Sequence, residues 1–185
     1  MGLLKSQTGS GPTSGAMIVS RPTGGMTMLM RMQVAAQNFP VTDVVQTRLV
    51  LETEVMRSLA TRAPSPDLGT AEELLDAMDD TELEPHEFLV LDSQFHIALA
   101  DAAGNQVVAA MMAGLRESIE GYVLAGAPLP IWPDTCRRLR CEHRGLVEAV
   151  RAGDPDLATR RIAESSTISP CLFRGASRSA RSSTR

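Results

Sequence analysis

The sequence predicts an all-α protein, an antiparallel bundle of six or seven helices, and three observations support it. Hydrophobic residues make up 43 % of the chain and aromatic ones only 3 %. A core must therefore come from Leu, Val, Ile, Met and Ala, which packed helices use readily. Apolar residues recur at helical spacing through most of the stretch from Met26 to Ser165. The breaks between those segments carry helix-stop and helix-start residues, namely Pro64 and Pro66, Gly104, Gly153 and Asp154-Pro155. At 185 residues the chain has room for one ordinary domain with tails.

Taken in order, residues 1–25 hold Gly2, Gly9, Gly11, Gly15, Gly24 and Gly25 with Pro12 and Pro22, so a flexible, non-helical lead-in is expected. Only Ala16 to Val19 has strand character, and no partner strand is evident. Met26 to Gln37 is the first helix, and after Pro40 a longer one runs from Val41 to Arg62, stopping before Pro64. Thr70 with Glu73 three residues on reads as a capping box opening a helix to about Met78. Glu84 to Ala103 follows, closed by Gly104, and then Asn105 to about Ala125. Beyond a proline-rich turn, Asp134 to Ala152 ends at Gly153 in the C-cap manner. Asp154 then caps a last helix, with Pro155 at its first position, to about Ser165. The remainder is rich in Ser and Arg and has no period, so disorder is expected there. The resulting division is a lead-in at 1–25, a helical domain at 26–166 and a tail at 167–185.

The net charge of −4 hides an asymmetry, because Arg174, Arg178, Arg181 and Arg185 cluster at the end while the middle is acidic. The body offers no basic nucleic-acid face. Cys136, Cys141 and Cys171 are an odd set without metal-type pairing, and neither a leader nor a long apolar run is visible. A cytoplasmic, reduced protein that stays off membranes is the expectation.

Three helices place polar residues where apolar ones belong, at roughly 100° per residue. Arg48 projects from the face made by Val41, Val44, Leu51, Val55 and Leu59. Asp92 and His96, one turn apart, edge the face of Phe88, Leu91, Phe95, Leu99 and Ala102, and His143 lies between Leu139, Leu146 and Val150. Burying these groups unpartnered costs several kcal/mol. They must meet one another, a ligand or a metal. Asp92 and His96 can face one ion from a single helix and His143 can complete the set from another, a three-ligand site with open positions suited to Zn²⁺, Mn²⁺, Ni²⁺ or Fe²⁺. The plainer alternatives are a hydrogen-bonded Asp–His pair, a satisfied core His143, and an Arg48 that pairs with Glu52 at i+4.

The stretch LDSQFHIALADAAGN, Leu91 to Asn105, resembles a signature of the C-terminal domain in the FadR branch of the GntR family of transcription regulators. EHRGLVEAVRAGDPDLA, Glu142 to Ala158, and RLVLETEVMRSLA, Arg48 to Ala60, are similar to two further segments of that domain, in the family's order and spacing. The resemblance covers about residues 26–165. It implies a helical bundle that binds a small organic acid effector beside a divalent metal, pairs as a homodimer and is not an enzyme. It also implies a metal held by one Asp and three His, of which Asp92, His96 and His143 match three. The fourth position falls at Ser165, whose hydroxyl is a poor ligand, so weaker metal binding is expected. Arg48 is the expected effector contact. The family's winged helix-turn-helix has no counterpart in the 25 glycine-rich residues ahead of the bundle, where SGAMIVSRP resembles the end of a wing and its linker. DNA binding is therefore expected only through a domain missing from this chain. The alternatives are a structural helical dimer with a vestigial site and, from another class, a small metal-dependent hydrolase. The hydrolase needs a free general base, for which only Asp92 and Glu142 are placed.

Overall fold

The computed structural model describes residues 4–6, 16–18, 22–36, 39–126 and 132–165, and within helices some stretches, 117–126 among them, by their backbone alone. Among these residues the chain is all-α but for a short hairpin. The elements are β1 (Leu4–Ser6), β2 (Ala16–Ile18), α1 (Pro22–Ala35), α2 (Val41–Thr61), α3 (Gly69–Ala77), α4 (Pro85–Ala102), α5 (Gln106–Gly126), α6 (Trp132–Arg151) and α7 (Pro155–Ser165). No helix among the described residues is long and apolar enough to cross a membrane. The expected tail at 167–185, the turn at 127–131 and the side chains of Glu117 and Glu120 lie outside the described residues.

Two expectations for the lead-in are corrected. Ala16–Ile18 does find a partner, pairing antiparallel with Leu4–Ser6 in the register Leu4↔Ile18, Lys5↔Met17, Ser6↔Ala16. The first helix begins at Pro22 rather than Met26. Proline is at home in a first helical turn, where its missing N–H has no intrahelical role, and two glycines inside the helix are tolerated. Tertiary packing holds this helix in place. Thr27 Oγ1 donates to the Ala110 carbonyl at 3.5 Å, and a Cβ at Gly114 would stand 2.9 Å from Met30 Cβ and 3.2 Å from Thr27 Cα. Gly114 is therefore the notch in α5 that seats α1.

The start of α3 is a third correction. Thr70 lies inside the helix, whose N-cap is Leu68. Asp67 Oδ1 accepts from the Gly69 N–H at 2.9 Å, and Leu68 is buried in the core, so the chain enters the helix earlier than the Thr70–Glu73 pair suggests. The reciprocal cap occurs instead at α4, where Glu87 accepts from the Glu84 N–H at 3.0 Å and Pro85 takes the first helical position. Asn105 caps α5 through Oδ1 to the N–H groups of Val107 and Val108, and Asp154 caps α7 through Leu157 N–H at 2.8 Å. At the end of α6, Gly153 (φ 64°) donates to the Val150 carbonyl and Asp154 to that of Ala149, a Schellman closure.

The core sits where α2, α4, α6 and α7 meet. Val55, Met56 and Leu59 of α2, Phe88, Phe95 and Leu99 of α4, Leu146, Ala149 and Val150 of α6 and Ala158 and Ile162 of α7 belong to one buried cluster. Trp132 is buried in it at the head of α6, as a plug at a bundle end would be. Val34, Val44 and Leu115 form a smaller, separate cluster beneath α1. Arg140 fastens α6 to the turn after α3 by donating to the Met78 and Asp80 carbonyls while its guanidinium lies 5.3 Å from the Phe88 ring centre.

Candidate metal centre

Four helices deliver polar side chains to one point inside this core. Asp92 and His96 lie one turn apart on α4, so both reach the same place, and His143 enters from α6. His143 is fully buried, His96 nearly so, and Asp92 retains 13 % of its side-chain exposure. One donor atom from each of the three lies within 4.8 Å of the others. The expected trio is thus brought together.

The individual distances test whether a metal fits. His96 Nε2 and His143 Nε2 face each other at 3.3 Å, and His143 Nε2 stands 3.2 Å from Asp92 Oδ1. Donors on a tetrahedral ion with bonds of about 2.0–2.1 Å are separated by roughly 3.3 Å. These two separations match that geometry, while the donor atoms of Asp92 and His96 lie within 4.8 Å of each other. The outer nitrogens are less even. His96 Nδ1 looks toward Glu52 Oε1 at 3.6 Å, an acidic neighbour of the kind that orients a ligating imidazole, whereas His143 Nδ1 is buried with no hydrogen-bond partner among the described residues. Without a cation, an N–H at His143 Nε2 can donate to Asp92 Oδ1 while His96 Nε2 faces it as an acceptor.

Around the trio stands an ion network. Arg116 on α5 donates from Nη1 to Asp92 Oδ2 at 2.8 Å, from Nε to Glu52 Oε1 at 2.8 Å, and from Nη2 to the same Glu52 oxygen. Arg48 on α2 is buried, and its Nε lies 3.7 Å from Glu52 Oε1 without a hydrogen-bond partner. Arg48 thus pairs with Glu52 at i+4 as an ion pair, while Arg116 from the neighbouring helix adds hydrogen bonds to the same carboxylate.

Burial works to raise the Asp92 carboxyl, but Arg116 and the hydrogen bond from His143 outweigh it and hold the group ionised, well below the usual carboxylate range. Burial, reinforced by the positive charge of Arg116, pushes His96 well below its ordinary 6.5, so its imidazole is neutral and able to ligate. Burial likewise lowers Arg48 from its ordinary value, against the pull of Glu52.

Ser165 is buried at the last position of α7, on the face of Ala158 and Ile162. His86 is exposed in the first turn of α4. Arg116 was not foreseen from the sequence, although a signal existed. Ala109, Met112 and Arg116 recur at i, i+3 and i+7, so Arg116 occupies a core-facing position of α5, and all three are buried.

A family model described as the FCD domain matches residues 43–165. No curated protein matches the chain. Among solved structures, one titled Streptococcus agalactiae GntR is similar, with a TM-score of 0.59 and 19 % sequence identity, over 90 % of this chain and 73 % of the other. At that identity the likeness is one of fold.

Proposed function

The chain belongs to the FCD-domain family, and from that premise we propose that it is the effector-sensing module of a transcription regulator, binding a small carboxylate metabolite beside a divalent metal and pairing as a homodimer. The observation that carries the reading is the convergence of Asp92, His96 and His143, with His143 Nε2 standing 3.3 Å from His96 Nε2 and 3.2 Å from a carboxylate oxygen of Asp92, separations that a bound ion would span. Asp92 would supply the anionic ligand and the two imidazoles the neutral ones, leaving open coordination positions. A bound divalent ion supplies a Lewis-acid point to which a carboxylate can attach. Arg48, buried and with an unpartnered Nε, offers the second contact, since a planar guanidinium suits a carboxylate held at two points.

The acids nearest the trio favour sensing over catalysis. Metal-dependent hydrolysis needs a free base; of the two candidates Asp92 is held by Arg116, and Glu142 pairs through Oε1 with Arg138 on its own helix at 3.7 Å, its Oε2 having no hydrogen bond among the described residues. The same network supports a second reading, in which the polar groups satisfy one another and the site is vestigial. Melting curves of the chelator-treated protein with Zn²⁺ or Mn²⁺ separate the two. A ligand of the native state at a hundredfold excess over its Kd contributes about 2.7 kcal/mol, several degrees in Tm for a chain of this size. His143→Ala should abolish the increment, and Ser165→His should enlarge it by restoring a fourth donor. Identical responses of wild type and His143→Ala to both metals would establish the vestigial reading.

A further inference from the structure

The charges around the trio balance before any ligand is present. Two buried guanidiniums, Arg48 and Arg116, stand against two buried carboxylates, Glu52 and Asp92, and each Arg interacts with both acids. Arg116 is the better placed, holding both acids at once, while Arg48 Nε has no hydrogen-bond partner although its side chain is more than nine-tenths buried. Adding a dication to such a neutral interior leaves a net buried charge of +2, which is strongly unfavourable unless an anion accompanies it. A monovalent carboxylate entering alone meets a smaller penalty of the opposite sign, and the two entering together leave +1 in place of +2.

We infer that Arg116 couples cation binding to anion binding at this site: it is the resident counter-charge of Asp92 and Glu52, so a divalent cation is held tightly only when a carboxylate enters with it. The inference rests on the metal-site reading above and adds to it a regulatory property, that each ligand binds more weakly without the other. The coupling is reciprocal by linkage, so metal raises carboxylate affinity by the factor by which carboxylate raises metal affinity. Arg116 acts here as a positioning and charge-setting residue. Arg48, paired with Glu52 at 3.7 Å but with its Nε lacking a hydrogen bond among the described residues, is the cation that the incoming carboxylate meets.

The test is calorimetric titration of Zn²⁺ into the full chelator-treated chain, in buffer free of carboxylates and again with excess sodium acetate as the probe anion. In wild type, acetate should raise Zn²⁺ affinity about tenfold. Arg116→Gln, which leaves the interior with one spare negative charge, should bind Zn²⁺ about tenfold more tightly without acetate and lose most of the acetate effect. The double variant Arg116→Gln/Glu52→Gln restores neutrality and should return to wild-type behaviour. Glu52→Gln alone adds a positive charge, and should weaken Zn²⁺ binding and enlarge the acetate effect. Circular dichroism identifies any variant that fails to fold, and the double variant and Glu52→Gln then carry the comparison. Zn²⁺ binding that is equal with and without acetate in wild type, or no tighter in Arg116→Gln than in wild type, overturns the inference while leaving the metal site standing. Absence of Zn²⁺ binding under every condition overturns both.

Discussion

At the residue scale, the site is governed by what burial does to ionisable groups. A neutral imidazole inside a core is tolerable and a charged one beside Arg116 is not, so His96 stays unprotonated at pH values where a free histidine takes up a proton. The folded pKa of His96 lies below its unfolded 6.5, so the unfolded chain binds the extra proton as the pH falls through 6.5, and stability is complete above that pH and lost below it. With a chelator present, denaturant unfolding between pH 7 and pH 5 should show stability falling with acid, at a limiting slope of about 1.4 kcal/mol per pH unit for this one proton. His96→Gln should flatten that slope. An unchanged slope would show that His96 is protonated in the folded protein. Asp92, with its folded pKa also depressed, adds a loss of the same sign at lower pH, below its ordinary 3.8. Cys136 behaves as a small buried hydrophobe, its thiol pushed up chiefly by burial, whereas Cys141 is exposed.

At the element scale, helix ends fix the spacing that brings the trio together. Gly104 (φ 82°) and Gly153 (φ 64°) close α4 and α6 in the left-handed conformation. Arg62, just past the end of α2, donates to the Ala102 carbonyl at 2.8 Å and so covers the C-terminus of α4. The nearest atom to a Cβ at Gly153 would be the Ala60 carbonyl oxygen at 3.7 Å, an ordinary contact, so the cost of a side chain there is backbone strain alone. Gly153→Ala should therefore destabilise the protein by about 1–2 kcal/mol, lowering the denaturant midpoint without altering the m-value. No change in the midpoint would mean that the turn after α6 relaxes freely. Gly114 serves close approach instead, for a Cβ there would run into Met30 Cβ and the Thr27 backbone of α1.

At the scale of the whole molecule, burial is uneven. The main cluster joins α2, α3, α4, α5, α6 and α7, whereas α1 rests on the small group of Val34, Val44 and Leu115 and leaves Met28, Leu29 and Met32 more than half exposed. Local opening free energy follows buried apolar contact. Native-state hydrogen exchange should find the amides of α1 opening well before those of α4 and α6, and equal protection in all three would show that α1 belongs to the same cooperative unit. The number and order of the helices in the domain, the closures at Gly104 and Gly153 and the cap at Asp154 were legible in the sequence, because period, glycine and proline act within a few residues of where they stand. The inward placing of Arg48, Asp92, His96 and His143 was legible for the same reason, since each is out of keeping with the apolar face of its own helix. The start of α1, the strand partner of Ala16–Ile18 and the entry to α3 were not, because contacts from far along the chain or burial of a neighbour decided them against local preference. Sequence alone could name the three ligand candidates but not what balances them. That Arg116 hydrogen-bonds Glu52 beside its i+4 partner Arg48 and also holds Asp92 was decided only when α2, α4 and α5 packed side by side, because the strength of an ion pair depends on the distance and alignment of groups on different helices, which no spacing along the chain encodes.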